Sequence, residues 1–421
     1  MAFRLVDLLA PEVQADPGPF LARLAAASPV FEVRPELFVV AGHAAAHEVL
    51  ASRACSSDRR HSKAAQAWRA NAPAELVAAL DARRGARPFL VLDPPDHTRL
   101  RQVVAPAFRP SVVARLRRRV AGIASELIDA MVEQGSDGSG LEVVAGLARP
   151  LPVAVIADLL GIPHSDRPVV AEWSDALAAS LEPEETVGRT ALLRLVEVRE
   201  VLGEYLRALA RARRSQPTGD LLGTLVEAMG SGVLAEDELV ATATLLLAAG
   251  HETTTGLIGN AVVRLAGDPA AVTAWRERPG IGASAVEELL RLDGPVQLTA
   301  RTTLAPISVD GVEIPAGVDV IVLLGAANRD HRVFPGPDRL DLERSPNPQL
   351  AFGFGLHHCL GAPLARLEAE VALYELVARL GRLELARAPE RRPGVVLRGM
   401  RSVWLRPPAQ VVRQPAQAAR W

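Results

Sequence analysis

Apolar and polar positions follow two rhythms along this chain, and the changes of rhythm locate most of its elements. Near the start, Val30-Phe31-Glu32-Val33 and Leu37-Phe38-Val39-Val40 flank Arg34-Pro35-Glu36. Two β-rich runs about a short polar turn predict a hairpin. From Asp96 to about Gly230, most segments carry apolar residues at helical spacing. Another helix is predicted from about Ala235 to Ala266. Glu236, Asp237 and Glu238 in its first turn suit the positive end of the helix dipole, and Gly267-Asp268-Pro269 ends it. Some thirty residues at 1.5 Å each reach ~45 Å, enough to cross a whole domain. The stretch Leu245-Leu246-Leu247-Ala248-Ala249 is apolar on every face, so this helix is expected to be buried. A strand-rich region is expected from Arg301 to Leu324, around an Asp310-Gly311 turn. The last long helix starts just after Cys359 and runs to about Leu380. The expected class is mainly α with small peripheral β-sheets.

Length alone, 421 residues, suggests two or three domains. No linker supports a division. The Pro-rich stretch Pro335 to Pro348 lies between periodic elements and reads as a structured meander; Pro407 to Pro415 reads as a tail. One domain over 1–421 is therefore expected, with the hairpin and a variable substrate loop (about Ser56 to Leu92) inside 1–95. A net charge of -2 supplies no global basic field for nucleic acid. Two cysteines, Cys55 and Cys359, make no disulfide framework and fit a reducing cytoplasm. Nowhere do ~20 apolar residues run uninterrupted, so no membrane span is expected.

Two segments break the apolar pattern with chemistry. In Phe352-Gly353-Phe354-Gly355-Leu356-His357-His358-Cys359-Leu360-Gly361, glycines permit backbone turns closed to other residues. Cys359 then stands at a helix entrance, with Pro363 in the first turn. Unpaired backbone donors and the positive dipole end there are expected to lower the thiol pKa. A small buried hydrophobe, a zinc ligand and a catalytic nucleophile are alternative readings of such a cysteine. His357-His358-Cys359 could suggest zinc, but a tetrahedral site usually needs further Cys or His at short spacing, and none lies nearby. In mid-helix, Ala249-Gly250-His251-Glu252-Thr253-Thr254 puts an ionisable group into an apolar run, costly unless it is paired or functional. Thr253 is placed to bond the Ala249 carbonyl and bend the helix.

The cysteine segment resembles the haem-binding loop of the cytochrome P-450 family, Phe-Gly-x-Gly-x-His-x-Cys-Leu-Gly, without a mismatch. The helix segment is similar to that family's Ala/Gly-Gly-x-Asp/Glu-Thr-Thr/Ser motif. The resemblance spans roughly His97 to Gly361 through five ordered motifs. It implies haem b (iron protoporphyrin IX) with Cys359 as the metal ligand, and a ring touched by Ala249, Phe352, Gly353 and Gly361. It implies propionate partners in His97, Arg101, Arg301 and His357. Thr253 would steady the activated oxygen and Glu252 relay protons in a break of the helix; His251 falls at a variable position and receives no role. Glu288-Leu289-Leu290-Arg291 looks like the structural Glu-x-x-Arg, with Arg344 of the meander as third partner, although Leu340 stands where the family usually has Phe. By family position Leu245, Ala248, Ala249, Val296, Gln297, Thr299, Val396 and Leu397 line the substrate pocket.

The implied reaction inserts one atom of dioxygen into a bulky, largely apolar small molecule, by hydroxylation or epoxidation. Soluble relatives often tailor polyketides, macrolides, peptides or terpenoids. No strand–Gly-x-Gly-x-x-Gly–helix unit is present, so electrons from NAD(P)H are expected through a separate ferredoxin and ferredoxin reductase. Arg109, Arg115, Arg117, Arg118 and Arg119 form a basic segment that suits an acidic ferredoxin or is simply solvated. A monomer is expected. Two rivals are a haem-thiolate peroxygenase and a non-enzymatic haem sensor; the Glu252-Thr253 pair argues against both.

Overall fold

In this computed structural model, residues 4–72, 86–178, 181–182 and 189–407 are described. Most of the expected variable loop falls among them; its 73–85 part and nearly all of the Pro-rich tail lie outside. The principal helices are α1 (Asp96–Val104), α2 (Arg117–Gln134), α3 (Pro150–Leu160), α4 (Arg167–Ala178), α5 (Arg189–Ser215), α6 (Glu236–Ala266), α7 (Gly282–Asp293) and α8 (Ala362–Leu380). The protein is mainly α, as its hydrophobic periodicity implied.

Helix α6 explains its own composition. Glu238 accepts the Ala235 N–H at 2.9 Å and closes the first turn, while Gly267 ends the helix. Between these ends α6 packs against α3, α4, α5, α7 and α8. A helix with neighbours on every side needs apolar residues on every side. Helix α8 begins with Pro363 in its first turn and ends at Gly381, whose φ of +69° favours glycine. The largest apolar cluster fills the space among these helices, from Phe89 to Leu405.

The expected hairpin forms as β1 (Val30–Arg34) and β2 (Leu37–Val40), with Glu36 at φ +69° in the turn. It belongs to a larger sheet. With β3 (Cys55–Ser56), β4 (Leu298–Thr303), a separate hairpin β5 (Ile307–Val309) and β6 (Val312–Ile314), and β7 (Asp319–Leu323), the five-stranded order is β1-β2-β7-β4-β3. Strand β2 pairs in parallel with β7, Val40 opposite Val322, while β7 and β4 are antiparallel. Leu37–Val40 is buried throughout, because sheet and helices cover both its faces. Asp310 and Gly311, at φ +50° and +76°, make the predicted turn. A two-stranded hairpin of β8 (Glu390–Arg392) and β9 (Gly399–Ser402) lies against α6. Among the described residues, no helix is long and apolar enough to cross a membrane.

Candidate active site

The cysteine loop is shaped by its glycines. Gly353 and Gly355 adopt φ of +66° and +72°. At Gly355 a Cβ would stand 2.5 Å from the Leu50 carbonyl, so the loop and the helix His43–Ala51 approach at a distance only glycine allows. Gly353 donates to Leu350 O at 2.8 Å, and Cys359 donates its N–H to Phe352 O at 2.9 Å. Cys359 keeps accessible surface although protein atoms surround it closely, as a side chain facing an internal cleft does. Its thiol pKa is raised, not lowered as expected from the helix entrance. Burial is the largest cause and outweighs the Gly361 and Ala362 backbone donors and the Arg101 and Arg366 guanidiniums, all of which act in the expected direction. A metal ion would reverse that balance by deprotonating the thiol outright.

Four basic side chains from three distant segments gather beside the loop. The rings of His97 and His357 lie 4.5 Å apart between centroids. Arg101 donates to His358 O at 2.7 Å, and Arg301, 8% exposed, donates to Thr299 Oγ1 and Ala300 O at 3.2 and 2.8 Å. Burial and the neighbouring guanidiniums push His357 down to about 3 and lower His97 as well. All ring nitrogens of the two histidines are buried without a hydrogen-bond partner, and no carboxylate is paired with any of the four groups among the described residues. Such a concentration of donors is costly unless an anion completes it. Gly353 and Gly361 meanwhile have nothing within 4 Å of where a Cβ would project. A flat dianionic group, as a haem with two propionates is, fits both features.

Helix α6, which packs against α8 beyond the cysteine loop, carries the second unusual segment. Leu245, Ala249 and Thr253, four apart, share one face and remain half-exposed in the middle of a buried helix. Thr253 donates to Ala249 O at 2.7 Å. The helix is nevertheless uninterrupted through 249–254, so the expected break is absent: the hydroxyl caps one carbonyl while the backbone ladder continues. A Cβ on Gly250 would meet Ile156 of α3 at 3.3 Å, a close helix–helix approach. Glu252 is 8% exposed and pairs through Oε1 with Arg392 of β8, while Oε2 is buried without a partner. Burial raises its carboxyl pKa against the opposing pull of Arg392.

The family profile described as Cytochrome P450 matches residues 283–412. The cytochrome P450 monooxygenase PikC of Streptomyces venezuelae is 38% identical over 408 residues, covering 94% of this chain and 92% of the relative. The chain belongs to the cytochrome P450 family. It is a monooxygenase of that family, whose cofactor is a haem with thiolate-bound iron. The erythromycin C-12 hydroxylase of Saccharopolyspora erythraea is 41% identical over 303 residues, covering 71% of this chain and 75% of the relative. The crystal structure of ligand-free CYP164A2 from Mycobacterium smegmatis superimposes with a TM-score of 0.86 at 37% identity, covering 96% of this chain and 99% of that one.

Other expected residues of this P450 fall into two groups. Glu288 and Arg291 meet in α7 with both side chains fully buried, and Arg344 closes on Glu288 at 3.0 Å. Arg291 also donates to Asn328 O and Pro337 O, and Arg344 to Pro335 O, so the three hold the meander before the cysteine loop. The pocket candidates are more mixed. Leu245, Thr299, Val296, Val396 and Leu397 are half-buried, and Ala248 is buried. Val296 and Leu397 form a bridge, and Thr299 sits against Arg301. Gln297, also half-buried, donates its amide to Gly294 O at 2.6 Å.

Sequence reasoning missed the partners of α6. Arg392 is 140 residues from Glu252 and Ser174 is 77 from His251. It also missed Glu182, whose carboxylate accepts the N–H groups of Val395, Val396 and Leu397 at 2.7 to 3.0 Å. No local pattern announces any of them.

Proposed function

We propose that this P450 inserts one atom of dioxygen into a bulky, largely apolar small molecule, by hydroxylation or epoxidation, in the tailoring of a secondary metabolite. Relatives named as an erythromycin C-12 hydroxylase and a cyclomarin C epoxidase support that class. The observation that carries the reading is an accessible Cys359 beside four basic side chains that no carboxylate pairs with among the described residues; on α6 a half-exposed Thr253 stands next to a buried acid. Cys359 would hold the iron of haem b. His97, Arg101, Arg301 and His357 would take the propionates, with Ala249, Phe352, Gly353 and Gly361 along the ring. The haem supplies the oxygen chemistry, for which two electrons and two protons are needed per turnover. Burial raises the carboxyl pKa of Glu252, the direction that general-acid work requires. Thr253 donates its own proton to Ala249 O, which leaves its oxygen free to act as an acceptor. The side chains of Leu245, Ala248, Val296, Val396 and Leu397 would offer an apolar wall that excludes water and orients substrate.

The chain acts in this reading as one cytoplasmic, monomeric catalytic domain. Electrons come from NAD(P)H through a ferredoxin and its reductase, with Arg109, Arg115, Arg118 and Arg119, all exposed, as the docking charges. The test is the carbon monoxide difference spectrum of the reduced protein, wild type and Cys359→Ser, followed by spin-state titration with macrolides and cyclic peptides. A strongly red-shifted Soret band lost in the variant is expected, with low-spin to high-spin conversion by compounds of that class. A spectrum unaffected by the substitution overturns the ligand assignment, and a response confined to small polar compounds overturns the substrate class.

A further inference from the structure

Beside the acid of α6 stands an ionisable side chain that the oxygen chemistry described so far leaves unused. His251 is 1% exposed, and its surroundings fix its protons. Ser174 Oγ donates to Leu247 O at 3.1 Å, so its oxygen remains to accept from His251 Nδ1, also 3.1 Å away. Nδ1 therefore carries the hydrogen and Nε2 presents a lone pair. Nε2 has no hydrogen-bond partner and stands 3.7 Å from Asp175 Oδ1. Asp175, His251 and Glu252 each place one oxygen or nitrogen within 4.8 Å of the other two. Asp175 is about a third exposed, whereas the partnerless oxygen of Glu252 is fully buried. A series of proton-accepting atoms, each within 4.8 Å of the others, thus leads from the part-exposed Asp175 to the interior acid.

That spacing would also suit a divalent cation. Two guanidiniums argue otherwise: Arg149 already pairs with Asp175 and Arg392 with Glu252, so a cation would have to displace both. We propose that Asp175 and His251 form the route by which solvent protons reach Glu252. The proposal rests on the reading of Glu252 as the proton donor of this P450. Asp175 takes a proton from a solvent hydronium ion, whose O–H bond breaks as the carboxyl O–H bond forms and which leaves as water. That carboxyl O–H bond breaks as Nε2–H forms, leaving a carboxylate and an imidazolium. The Nε2–H bond then breaks as the Glu252 Oε2–H bond forms, and the imidazole returns to its Nδ1–H state. One proton moves inward, no electrons move, and the gaps are closed by small side-chain rotations or one bridging water. The groups facing His251 are Asp175, Glu252, Arg149 and Arg392. Burial first, then Arg149 and Arg392, push its pKa down to about 4 against the pull of Asp175. At pH 7 only about one ring in a thousand is then charged, so His251 passes protons on and does not store them. It acts through Glu252 and is in that sense a positioning residue.

The test compares wild type, His251→Gln, Asp175→Asn and Glu252→Gln, as holoenzymes with saturating substrate and redox partners. His251→Gln keeps a hydrogen-bonding group for Ser174 but relays no proton. About tenfold slower product formation, more hydrogen peroxide per NAD(P)H and a larger solvent isotope effect are expected in both His251→Gln and Asp175→Asn. Asp175→Glu is expected to restore wild-type values, which a merely structural role would not predict. Nitrogen-15 spectra of histidine-labelled protein, in the diamagnetic ferrous carbon monoxide complex, should show His251 with its hydrogen on Nδ1. A hydrogen on Nε2 overturns the route. So do His251→Gln and Asp175→Asn variants that match wild type while Glu252→Gln is slowed, since protons then enter by another path. If Glu252→Gln itself is unimpaired, the reading of Glu252 as donor fails first, and the route with it.

Discussion

Glu288→Gln changes one atom's identity and no volume, yet its cost can be worked out from the contacts. The carboxylate accepts from Arg291 Nε and Nη2, both at 2.8 Å, from Arg344 Nε at 3.0 Å, from the Asp341 N–H at 3.1 Å and from Asn347 Nδ2 at 3.2 Å. The Glu288 and Arg291 side chains are 0% exposed, so water cannot replace what is lost. The amide removes the only negative charge between two buried guanidiniums and turns an NH2 donor towards other donors. Removing one member of a buried ion pair costs about 3–5 kcal/mol. For a chain of 421 residues, at ~2.1 cal/mol/K per residue, the unfolding entropy is about 0.9 kcal/mol/K, so Tm should fall by about 3–6 °C. Scanning calorimetry measures this directly. Glu287→Gln is the control: that carboxylate pairs with the part-exposed Arg366 and should cost under about 1 kcal/mol. A Glu288→Gln protein melting within about 1 °C of wild type, or no lower than Glu287→Gln, would refute the argument that the buried charge holds the meander.

Further expectations concern titration, closure and docking. His251 has a folded pKa depressed to about 4 against an ordinary 6.5, so the unfolded chain binds the proton first and stability is lost as pH falls through that window. Its share is about 3 kcal/mol, and a His251→Gln protein should show a flatter dependence of Tm on pH between 6.5 and 4; parallel curves would contradict the assignment. Glu182 ties the segment after α4 to the N–H groups of 395–397. Glu182→Gln should weaken substrate binding about tenfold through a faster off-rate in stopped-flow spin-state traces, since charge-assisted hydrogen bonds are lost. An unchanged off-rate would mean that this contact does not gate the pocket. Arg115→Glu with Arg118→Glu should slow reduction by ferredoxin about tenfold at low salt, with the difference vanishing near 1 M salt. A loss that persists at high salt would point to misfolding instead of docking.

What could be read in the sequence here was whatever chemistry is local. The α6 span, the Asp310-Gly311 turn and the start of α8 are set by spacings of one to four residues, and each appears where periodicity and capping place it. Glu288 and Arg291, three apart on one helix, meet for the same reason. The misjudged points all depend on burial or on distant partners. The sign of the helix-entrance effect on Cys359 was legible, but its defeat by burial was not, because desolvation is a property of the packed surroundings. The expected break in α6 rested on the family resemblance, whereas the local reading, a Thr253 hydroxyl bonded to the Ala249 carbonyl, holds within a continuous helix packed on every side. The parallel pairing of β2 with β7 joins segments some 280 residues apart in number, and a hairpin signal carries no trace of it. His251 shows the same limit at the site. Alone it is a histidine in an apolar helix. Only when α4 brings Ser174 and Asp175 against it, and β8 brings Arg392 against its neighbour, does its tautomer acquire a direction along which a proton can travel.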